Sequence, residues 1–283
     1  MKASQKGRLR MPKWLLDCAL LLTSIFAFAE EAGKRLTLTG EFTQGGLIVG
    51  KSSFPVEAVK LGDVKVPVHP NQKLFVFGFG RDAGDSDTLY VQFKDGLEFS
   101  KELEVEQRQY KIDKIEGVAS KYVSPPESVL KRIRNDSKIV KDARASMSYR
   151  TDFILPVIKP AEGRISGVYG SQRVFNGVPK RPHFGMDIAA PTGTKVIAPW
   201  PGKVVLAEPD LYYSGGTLII DHGLGVTSTY IHLSKLHVNK GQEITQGQKI
   251  ADIGATGRVT GPHLDWRLNW FKRRLDPQLL LKQ

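Results

Sequence analysis

Cysteine is nearly absent from this chain of 283 residues, which contains only Cys18. A single cysteine excludes a fold held together by disulfide bonds. The chain is long enough for about two domains with hydrophobic cores of their own, so it does not need such cross-links. Cys18 follows Asp17 instead of the small residue expected before a lipidated cysteine, and we therefore do not predict a lipoprotein.

Long hydrophobic runs are absent after residue 29. The one apolar stretch, residues 14–29, follows a basic opening segment and ends in Ala27-Phe28-Ala29, which is the pattern of a secretory signal peptide. We expect cleavage after Ala29 and a periplasmic protein without a stable membrane span. The alternative is an uncleaved inner-membrane anchor, but the stretch is short for a span and contains Asp17.

Acidic residues are outnumbered, with 29 Asp and Glu against 41 Lys and Arg, a formal net charge of +12. Five basic residues and one acidic residue lie in the predicted signal, which leaves an excess of eight positive charges. No aromatic stacking platform or nucleic-acid motif accompanies this charge, so we expect no nucleic-acid partner. An acidic extracytoplasmic partner and a plain solvated lysine-rich surface both account for the charge.

The first part of the chain after the signal predicts a small β-sandwich over residues 30–117. Short alternating segments such as LTLTGEF, GGLIVGKS and KLFVFGF are separated by turn residues, and Phe75, Phe77 and Phe79 fall on one face of a strand. The region has no cluster of acidic residues that suggests a reaction site. We interpret it as a binding or positioning module.

Residues 118–150 differ in composition from the module and predict a helical connector. Two prolines are followed by apolar residues at helical spacing among many charges. From residue 151 to residue 283 the chain is again rich in glycine and strands, which predicts a second all-β domain with tight turns.

A helical zinc-protease motif, HExxH, is absent, yet five of the six histidines lie in this last domain. His183 and Asp187 are four residues apart in RPHFGMDIAAP, where both side chains face one side of an extended segment. Nitrogen and oxygen ligands of one metal ion need such an arrangement. By itself, an HxxxD pair more commonly forms a surface hydrogen bond.

The remaining histidines have ordinary readings when each is taken alone. His232 lies in the β-branched and aromatic strand STYIHLSKL, where a histidine is usually half-buried and structural. His222 and His237 suit turn and surface roles. Together with the pair at 183 and 187, however, they supply enough imidazoles for a metal site with further histidines beside it.

The segment GPHLDWRLNW predicts a strand with two unlike faces. His263, Asp265 and Arg267 point to one face, while Leu264, Trp266 and Leu268 point to the other. The apolar face belongs in a core. The polar face therefore supplies a second candidate His/Asp pair.

The last domain contains four runs in a fixed order: GRISGVYGSQRVFNG, PHFGMDIAAPTGTKVIAPWPGKVVLAE, GGTLIIDHGLGVTSTYIHLSKL and GQKIADIGATGRVTGPHLDWRLNW. Over residues 155–277 these runs resemble the lysostaphin/LytM-type zinc endopeptidases of the bacterial cell wall. The resemblance implies an antiparallel β domain with an open groove, one zinc ion at its floor, and hydrolysis of peptide cross-links in peptidoglycan. The upstream module and connector resemble those of exported Gram-negative members.

The resemblance also implies roles for particular residues. His183 and Asp187 match metal ligands, and His232 and His263 match catalytic histidines. The last motif of the family is HxH, whose second histidine is the third zinc ligand, and Asp265 stands at that position. Tyr212 and Tyr213 are candidate walls of the groove.

Asp265 leaves two hypotheses open. Aspartate binds zinc through oxygen, but a His-Asp-Asp set is harder and makes manganese a more credible competitor. Arg267 either pairs with the carboxylate in competition with the metal or orients it as a ligand. The chain is then either a hydrolase or a catalytically degenerate protein that binds peptidoglycan or activates an amidase, with a regulatory protein as a further unknown partner.

Overall fold

The computed structural model describes residues 31–115, 127–175 and 177–282. The predicted signal peptide, residues 1–29, lies outside the described residues. None of the helices in the described ranges is long and apolar enough to cross a membrane. Antiparallel strands dominate these ranges and are joined by one long helix, which confirms the predicted, mostly β fold class.

The N-terminal module consists of two antiparallel sheets that face each other. Its strands are β1 (Leu36–Gly40), β2 (Leu47–Ser52), β3 (Val56–Leu61), β4 (Val64–Val66), β5 (Leu74–Gly78), β6 (Ser86–Phe93) and β7 (Glu98–Glu104). One sheet has the order β1-β2-β5 and the other the order β4-β3-β6-β7. Phe75, Phe77 and Phe79 are buried, and the rings of Phe75 and Phe77 stack with centroids 6.3 Å apart.

A short three-stranded sheet joins the two halves of the chain. It contains β8 (Ile112–Ile115), β10 (Gln172–Phe175) and β11 (Val178–Pro179), in the order β11-β10-β8. Strand β8 lies before the boundary predicted at residue 117, yet it runs parallel to β10, which lies beyond residue 151. Backbone pairing between β8 and β10 therefore joins the two regions.

Helix α1 (Glu127–Arg144) lies within the predicted connector, whose residues 116–126 fall outside the described ranges. No residue of α1 is buried, so side-chain bonds hold it in place. The Arg132 guanidinium lies 2.8 Å from the Asp210 carboxylate, and Asp136 accepts a hydrogen bond from the Tyr212 amide at 2.7 Å. The helix contacts β14 and β15 of the C-terminal domain.

The C-terminal domain is built on a ten-stranded sheet. Its strands are β9 (Arg164–Gly167), β12 (Met186–Ala189), β13 (Lys195–Ile197), β14 (Gly202–Leu211), β15 (Gly215–Gly223), β16 (Val226–Leu236), β17 (Glu243–Ile244), β18 (Lys249–Ile253), β19 (His263–Trp270) and β20 (Arg273–Leu275). The central order is β17-β14-β15-β16-β19-β12-β9. Two short 3-10 helices, Asp152–Ile154 and Pro277–Lys282, flank the domain.

Strand β19 has the two faces that its sequence predicts. Leu264, Trp266 and Leu268 are completely buried. Leu264 and Trp266 pack with Met186, Ile188 and other residues of the domain core. Because side chains alternate along a strand, the residues at 263, 265 and 267 all project from the opposite face.

The two halves of the chain also share a hydrophobic core. Leu268, Trp270 and Leu275 belong to the same buried cluster as Phe75 and Phe77. A buried ion pair crosses the same interface, with the Arg108 guanidinium 2.8 Å from the Asp276 carboxylate. The N-terminal module is thus packed directly against the strand that carries Asp265.

Candidate metal centre

Two carboxylates lie opposite each other on neighbouring strands. Strands β12 and β19 pair antiparallel in a register that sets Asp187 against Asp265. Like charges directly across a strand pair are destabilising. The pair therefore requires a positive charge close by.

His183 lies beside both carboxylates. Its Nε2 atom is 3.0 Å from Asp187 Oδ1 and 3.3 Å from Asp265 Oδ2. One ligand atom from each of the three residues lies within 4.8 Å of the others. The structure thus brings together the three residues that the sequence proposes as metal ligands.

A hydrogen bond on the side of the ring away from the carboxylates fixes the orientation of His183. Its Nδ1–H donates a hydrogen bond to the Val168 carbonyl at 3.1 Å, so Nε2 is the nitrogen that faces the carboxylates. Burial favours the neutral ring, but hydrogen bonds to Asp187 and Asp265 outweigh it and raise the pKa of His183 to about 10. Without a metal, His183 is therefore an imidazolium that supplies positive charge between the two acids.

Arg267 binds Asp265 through two parallel hydrogen bonds. Its Nε donates to Oδ1 at 2.9 Å and its Nη2 donates to Oδ2 at 2.5 Å. Burial alone raises the pKa of the Asp265 carboxyl, but Arg267 and His183 reverse this effect and hold it well below the usual range. A carboxylate has about four acceptor positions, so the two bonds from Arg267 leave about two positions for His183 or a metal ion.

The cluster fits a divalent cation, as a buried carboxylate oxygen and two close approaches indicate. Asp187 Oδ1 is buried, and the ion pair with His183 Nε2 at 3.0 Å does not have the geometry of a regular hydrogen bond, so this oxygen has no well-directed hydrogen bond from the described residues. Two glycines leave room for these carboxylates. If Gly167 carried a Cβ, that atom would lie 2.2 Å from Asp187 Oδ2, and a Cβ on Gly185 would lie 2.2 Å from Asp265 Oδ1. The separations of 3.0 and 3.3 Å suit ligands that each lie about 2 Å from one ion.

His232 occupies the point where β16 changes its neighbour. Up to Ile231 the strand pairs with β19, and from Leu233 it pairs with β18. His232 has a φ of +67°, a left-handed conformation that is rare for a non-glycine residue and is maintained by its surroundings. The ring is nearly buried, and its Nδ1–H donates to the Thr256 carbonyl at 2.9 Å.

His263 lies beside His232 at the start of β19. The two ring centroids are 4.9 Å apart, and His263 Nε2 lies 3.9 Å from Asp187 Oδ1. His263 donates from Nδ1 to the Gly261 carbonyl at 2.9 Å, so its Nε2 is left to act as an acceptor. Burial lowers the pKa of His232 and keeps that ring neutral near pH 7.

Four further residues considered from the sequence are not among the three clustered ligands, and the role of Tyr212 and Tyr213 as walls of a groove stays a prediction. Tyr212 and Tyr213 pack edge to face at 4.9 Å at the end of β14, beside helix α1. The surface role expected for His222 is wrong, because His222 ends up completely buried in β15, bonded to the Pro201 carbonyl and the Ser228 hydroxyl. His237 forms a separate pair with Asp252 at 2.7 Å.

Sequence reasoning missed the backbone groups that shape the centre. The carbonyls of Val168, Thr256 and Gly261 orient the three histidines, and they have no signature in the side-chain sequence. The sequence did offer a signal for the two glycines. Gly185 lies two residues after His183, and Gly167 directly precedes Val168, whose carbonyl orients His183. A glycine in such a position commonly marks a close approach of the backbone.

Residues 181–277, which include every candidate ligand, match the model of Peptidase family M23. The chain carries an M23 peptidase domain. It is 33% identical over 202 residues to the peptidoglycan DD-endopeptidase ShyA of Vibrio cholerae, an alignment that covers 67% of this chain and 46% of ShyA. It is 32% identical over 124 residues to the murein hydrolase activator NlpD of Escherichia coli, which covers 44% of this chain and 31% of NlpD.

The chain thus spans less than half the length of these curated relatives. A solved structure shares more of its architecture. A putative peptidase M23 from Pseudomonas aeruginosa is 27% identical, superposes with a TM-score of 0.66, and covers 85% of this chain and 95% of its own. The N-terminal module and the M23 domain therefore occur together in a second protein of similar extent.

Proposed function

We propose that the chain is a zinc-dependent endopeptidase that hydrolyses peptide cross-links of peptidoglycan in the periplasm. One observation carries this proposal: one ligand atom from each of His183, Asp187 and Asp265 lies within 4.8 Å of the others, and the only charged partner found for buried Asp187 Oδ1 at 3.0 Å or closer among the described residues is His183, itself a candidate ligand. The similarity to a peptidoglycan DD-endopeptidase supports the substrate class. The excess of basic residues suits an anionic wall polymer.

His183, Asp187 and Asp265 would hold the ion. When bound, zinc would acidify a water molecule and polarise the carbonyl of the scissile amide. The residues around it have tasks of their own. Val168 keeps His183 Nε2 directed at the ion, and Arg267 fixes the rotation of the Asp265 carboxylate.

His232 and His263 would act on the proton and on the developing negative charge. Both rings donate from Nδ1 to a backbone carbonyl, so both present Nε2 as an acceptor. A neutral His232 accepts a proton from the attacking water, and a ring that has gained a proton can donate to the oxyanion or to the leaving amine. Removal of one such donor commonly costs about 3 kcal/mol of transition-state stabilisation.

Arg267 offsets the charge difference between this centre and the family pattern. A His-Asp-Asp set carries one more negative charge than a His-Asp-His set, which weakens the Lewis acidity of the metal. The Arg267 guanidinium is bonded to both oxygens of Asp265 and withdraws part of that charge. The ion proposed for the hydrolase is zinc. Manganese is the ion that competes most strongly with zinc for a His-Asp-Asp site.

A second function is favoured by the same ion pair. If the guanidinium of Arg267 takes all the binding capacity of Asp265, the centre holds no metal and the domain serves as a peptidoglycan-binding protein or an amidase activator. The similarity to a murein hydrolase activator suits this alternative. Export through the predicted signal at residues 1–29 applies to both functions.

The test is digestion of purified cross-linked muropeptides with zinc-loaded protein, with and without a chelator. We expect cleavage that the chelator abolishes and zinc restores. His263→Ala should retain the metal and lose cleavage, while His237→Ala, which alters a histidine outside the centre, should cleave normally. Absence of cleavage by metal-loaded wild-type protein, together with stimulation of an amidase, would establish the activator instead.

A further inference from the structure

A short turn holds the candidate metal ligand His183 through three hydrogen bonds. The turn comprises residues 168–171, between β9 and β10, and we call it the ligand turn. The Val168 carbonyl accepts a hydrogen bond from His183 Nδ1 at 3.1 Å. The Ser171 carbonyl accepts from the His183 amide, and the Gly170 amide donates to the His183 carbonyl, both at 2.8 Å. One segment therefore fixes the ring and both backbone groups of His183.

The ligand turn is itself bonded to Arg81, which lies in the loop between β5 and β6 of the N-terminal module. Arg81 Nε donates to the Gly170 carbonyl at 2.9 Å, and Nη2 donates to Gln172 Oε1 at 3.3 Å. The third nitrogen, Nη1, pairs with the Asp82 carboxylate at 2.5 Å. Only 11% of the Arg81 side chain is exposed, so the guanidinium is enclosed by these partners. Arg81 thus connects the module to the turn that holds His183.

Tyr110 packs against the same turn. The Arg81 guanidinium lies over the Tyr110 ring at 4.6 Å, and this ring meets Tyr169 edge to face with centroids 6.1 Å apart. Gly170 has a φ of +84°, and a Cβ at this position would overlap the Tyr110 ring. The turn therefore needs glycine there, both for its conformation and for the close approach of the ring.

The hydroxyl group of Tyr110 takes no part in this arrangement. Tyr110 Oη is buried and has no hydrogen-bond partner among the residues that the structure describes. The ring therefore acts on the ligand turn through packing, and a phenylalanine ring can supply the same contacts.

Arg273 makes contacts of the same kinds elsewhere in the interface between the two regions. Its Nη1 donates to the Gly78 carbonyl of the N-terminal module at 2.9 Å, and its guanidinium lies over the Trp270 ring at 5.4 Å. Gly78 and Trp270 both lie outside the ligand turn. Arg273 therefore offers a matched comparison for an arginine that only joins the two regions.

We propose that Arg81 and Tyr110 are positioning residues for His183, and that the N-terminal module sets the metal affinity of the M23 domain through them. The partner of the second ring nitrogen orients a metal-binding histidine, and here that partner is the Val168 carbonyl. Movement of the ligand turn displaces this carbonyl together with both backbone bonds of His183. The inference rests on the proposed function, because it assigns the module a task in the zinc site.

Zinc affinity of the full chain, measured by competition with a chromophoric chelator, tests this role. Arg81→Met and Tyr110→Ala should each lower the affinity by about 10-fold or more, as is usual when a partner that orients a ligand is lost. Tyr110→Phe should bind zinc as wild type does, because the missing hydroxyl has no partner among the described residues. Arg273→Met should also bind zinc as wild type does.

Amide hydrogen exchange tests the same role without a metal. In the chelator-treated full chain, the amides of Gly170 and His183 should exchange about 10-fold faster in Arg81→Met and Tyr110→Ala, since losing about one hydrogen bond eases local opening by that factor. Amides of the buried strand β15 should keep their wild-type rates, which a general loss of stability would not allow. Arg273→Met should leave the exchange of both amides unchanged.

The inference is overturned if zinc affinity is unchanged in Arg81→Met and Tyr110→Ala, or if it falls equally in Arg273→Met, because the contacts would then serve only to join the two regions. Wild-type exchange at Gly170 and His183 in Arg81→Met also overturns it. Wild-type protein that binds no zinc refutes the proposed endopeptidase instead. Exchange then decides the inference: selectively faster exchange at the two amides supports the positioning role, and unchanged exchange refutes it.

Discussion

Asp265 and Arg267 form a bonded pair in the candidate metal centre. Asp265 is almost fully buried, and both of its oxygens accept bonds from Arg267. A buried carboxylate without a partner is costly, so the arginine is needed whenever no metal is bound. Without a metal, the protonated ring of His183 supplies positive charge between Asp187 and Asp265.

Arg267→Gln should weaken both stability and metal binding. The metal-free protein loses the partner of a buried charge, at a cost of about 3 kcal/mol in the free energy of unfolding. Zinc affinity should fall by about 10-fold or more, because a partner that orients a ligand is lost. Urea unfolding with chelator and zinc titration measure the two effects, and Arg164→Gln, an exposed arginine on β9, serves as control. Tighter zinc binding by Arg267→Gln would show that the guanidinium competes with the ion.

His222 should make folding stability depend on pH. Burial lowers the pKa of His222 to about 4, against about 6.5 in the unfolded chain. Above pH 6.5 the ring is neutral in both states and contributes no pH dependence. As the pH falls from 6.5 towards 4, only the unfolded state gains the proton, so stability falls by up to about 3 kcal/mol.

His222→Gln keeps a donor and an acceptor at this position but does not titrate. Urea unfolding of both proteins between pH 7 and pH 4.5 should give a shallower loss of stability for the variant, although its stability at pH 7 is lower. Equal slopes for the two proteins would contradict the account.

At the residue scale the sequence predicted which side chains meet, and it missed how they are held. His183, Asp187, His232, His263 and Asp265 were selected from their spacing and from the family resemblance, and the structure brings them together. The sequence left two alternatives for Arg267, which either pairs with Asp265 in competition with the metal or orients Asp265 as a ligand. The choice depends on the side-chain rotation of two residues on one strand face, which alternation alone does not determine.

Single elements determine the geometry of the centre through register and irregularity. The β12–β19 register sets Asp187 opposite Asp265, and a shift of one residue would turn one carboxylate into the core. Strand β16 leaves β19 at His232 and joins β18, and the left-handed conformation of His232 accompanies this change. Bulges of this kind commonly redirect a side chain next to a reaction site.

Gly185→Ala tests whether the segment before β12 must approach β19 this closely. The added Cβ would lie 2.2 Å from Asp265 Oδ1 and 2.8 Å from the Trp266 carbonyl oxygen, so either the carboxylate or the backbone must move. Zinc affinity should fall by about 10-fold, which corresponds to the lower range of overpacking costs. The control is Gly261→Ala, in the neighbouring loop, where the added Cβ would have no atom within 4 Å. This variant should bind zinc as wild type does. Unchanged affinity in both variants would refute the close approach.

The element predictions succeeded where periodicity is strong. The alternating runs around Phe75 and Trp266 form buried strands, and residues 127–144 of the charged connector form a helix. The placement of His222 failed because the strand IIDHG is buried on both faces, and a histidine there has no polar alternation to reveal its environment. Strand β8 was missed because its partner β10 is distant in sequence.

The whole molecule behaves as two regions with one shared core. Leu268 and Leu275 of the M23 domain pack in the same cluster as Phe77 of the N-terminal module. Such contacts link residues almost 200 positions apart and have no local sequence signal. The sequence therefore predicted two regions and a connector but did not predict that they would be packed together.

Phe77→Ala should destabilise the M23 domain from the other side of the interface. Loss of a buried phenylalanine costs about 3 to 5 kcal/mol. All tryptophans after the predicted signal, Trp200, Trp266 and Trp270, lie in the M23 domain, so their fluorescence reports on that domain alone. Their thermal transition should shift to lower temperature together with the loss of circular dichroism.

Tyr90→Ala, at a half-exposed aromatic residue of the same module, should have little effect. A fluorescence transition that Phe77→Ala leaves unchanged would mean that the two regions unfold independently.

The central claim is that His183, Asp187 and Asp265 hold one divalent ion, and metal stoichiometry tests it most directly. Purified protein dialysed against zinc and then against buffer is assayed for metal by mass spectrometry, beside Asp265→Ala and Asp252→Ala. The account predicts one ion per chain in wild type and in Asp252→Ala, whose carboxylate pairs with His237 outside the centre, and loss of the ion in Asp265→Ala. A metal-free wild-type protein, or full occupancy in Asp265→Ala, would contradict it.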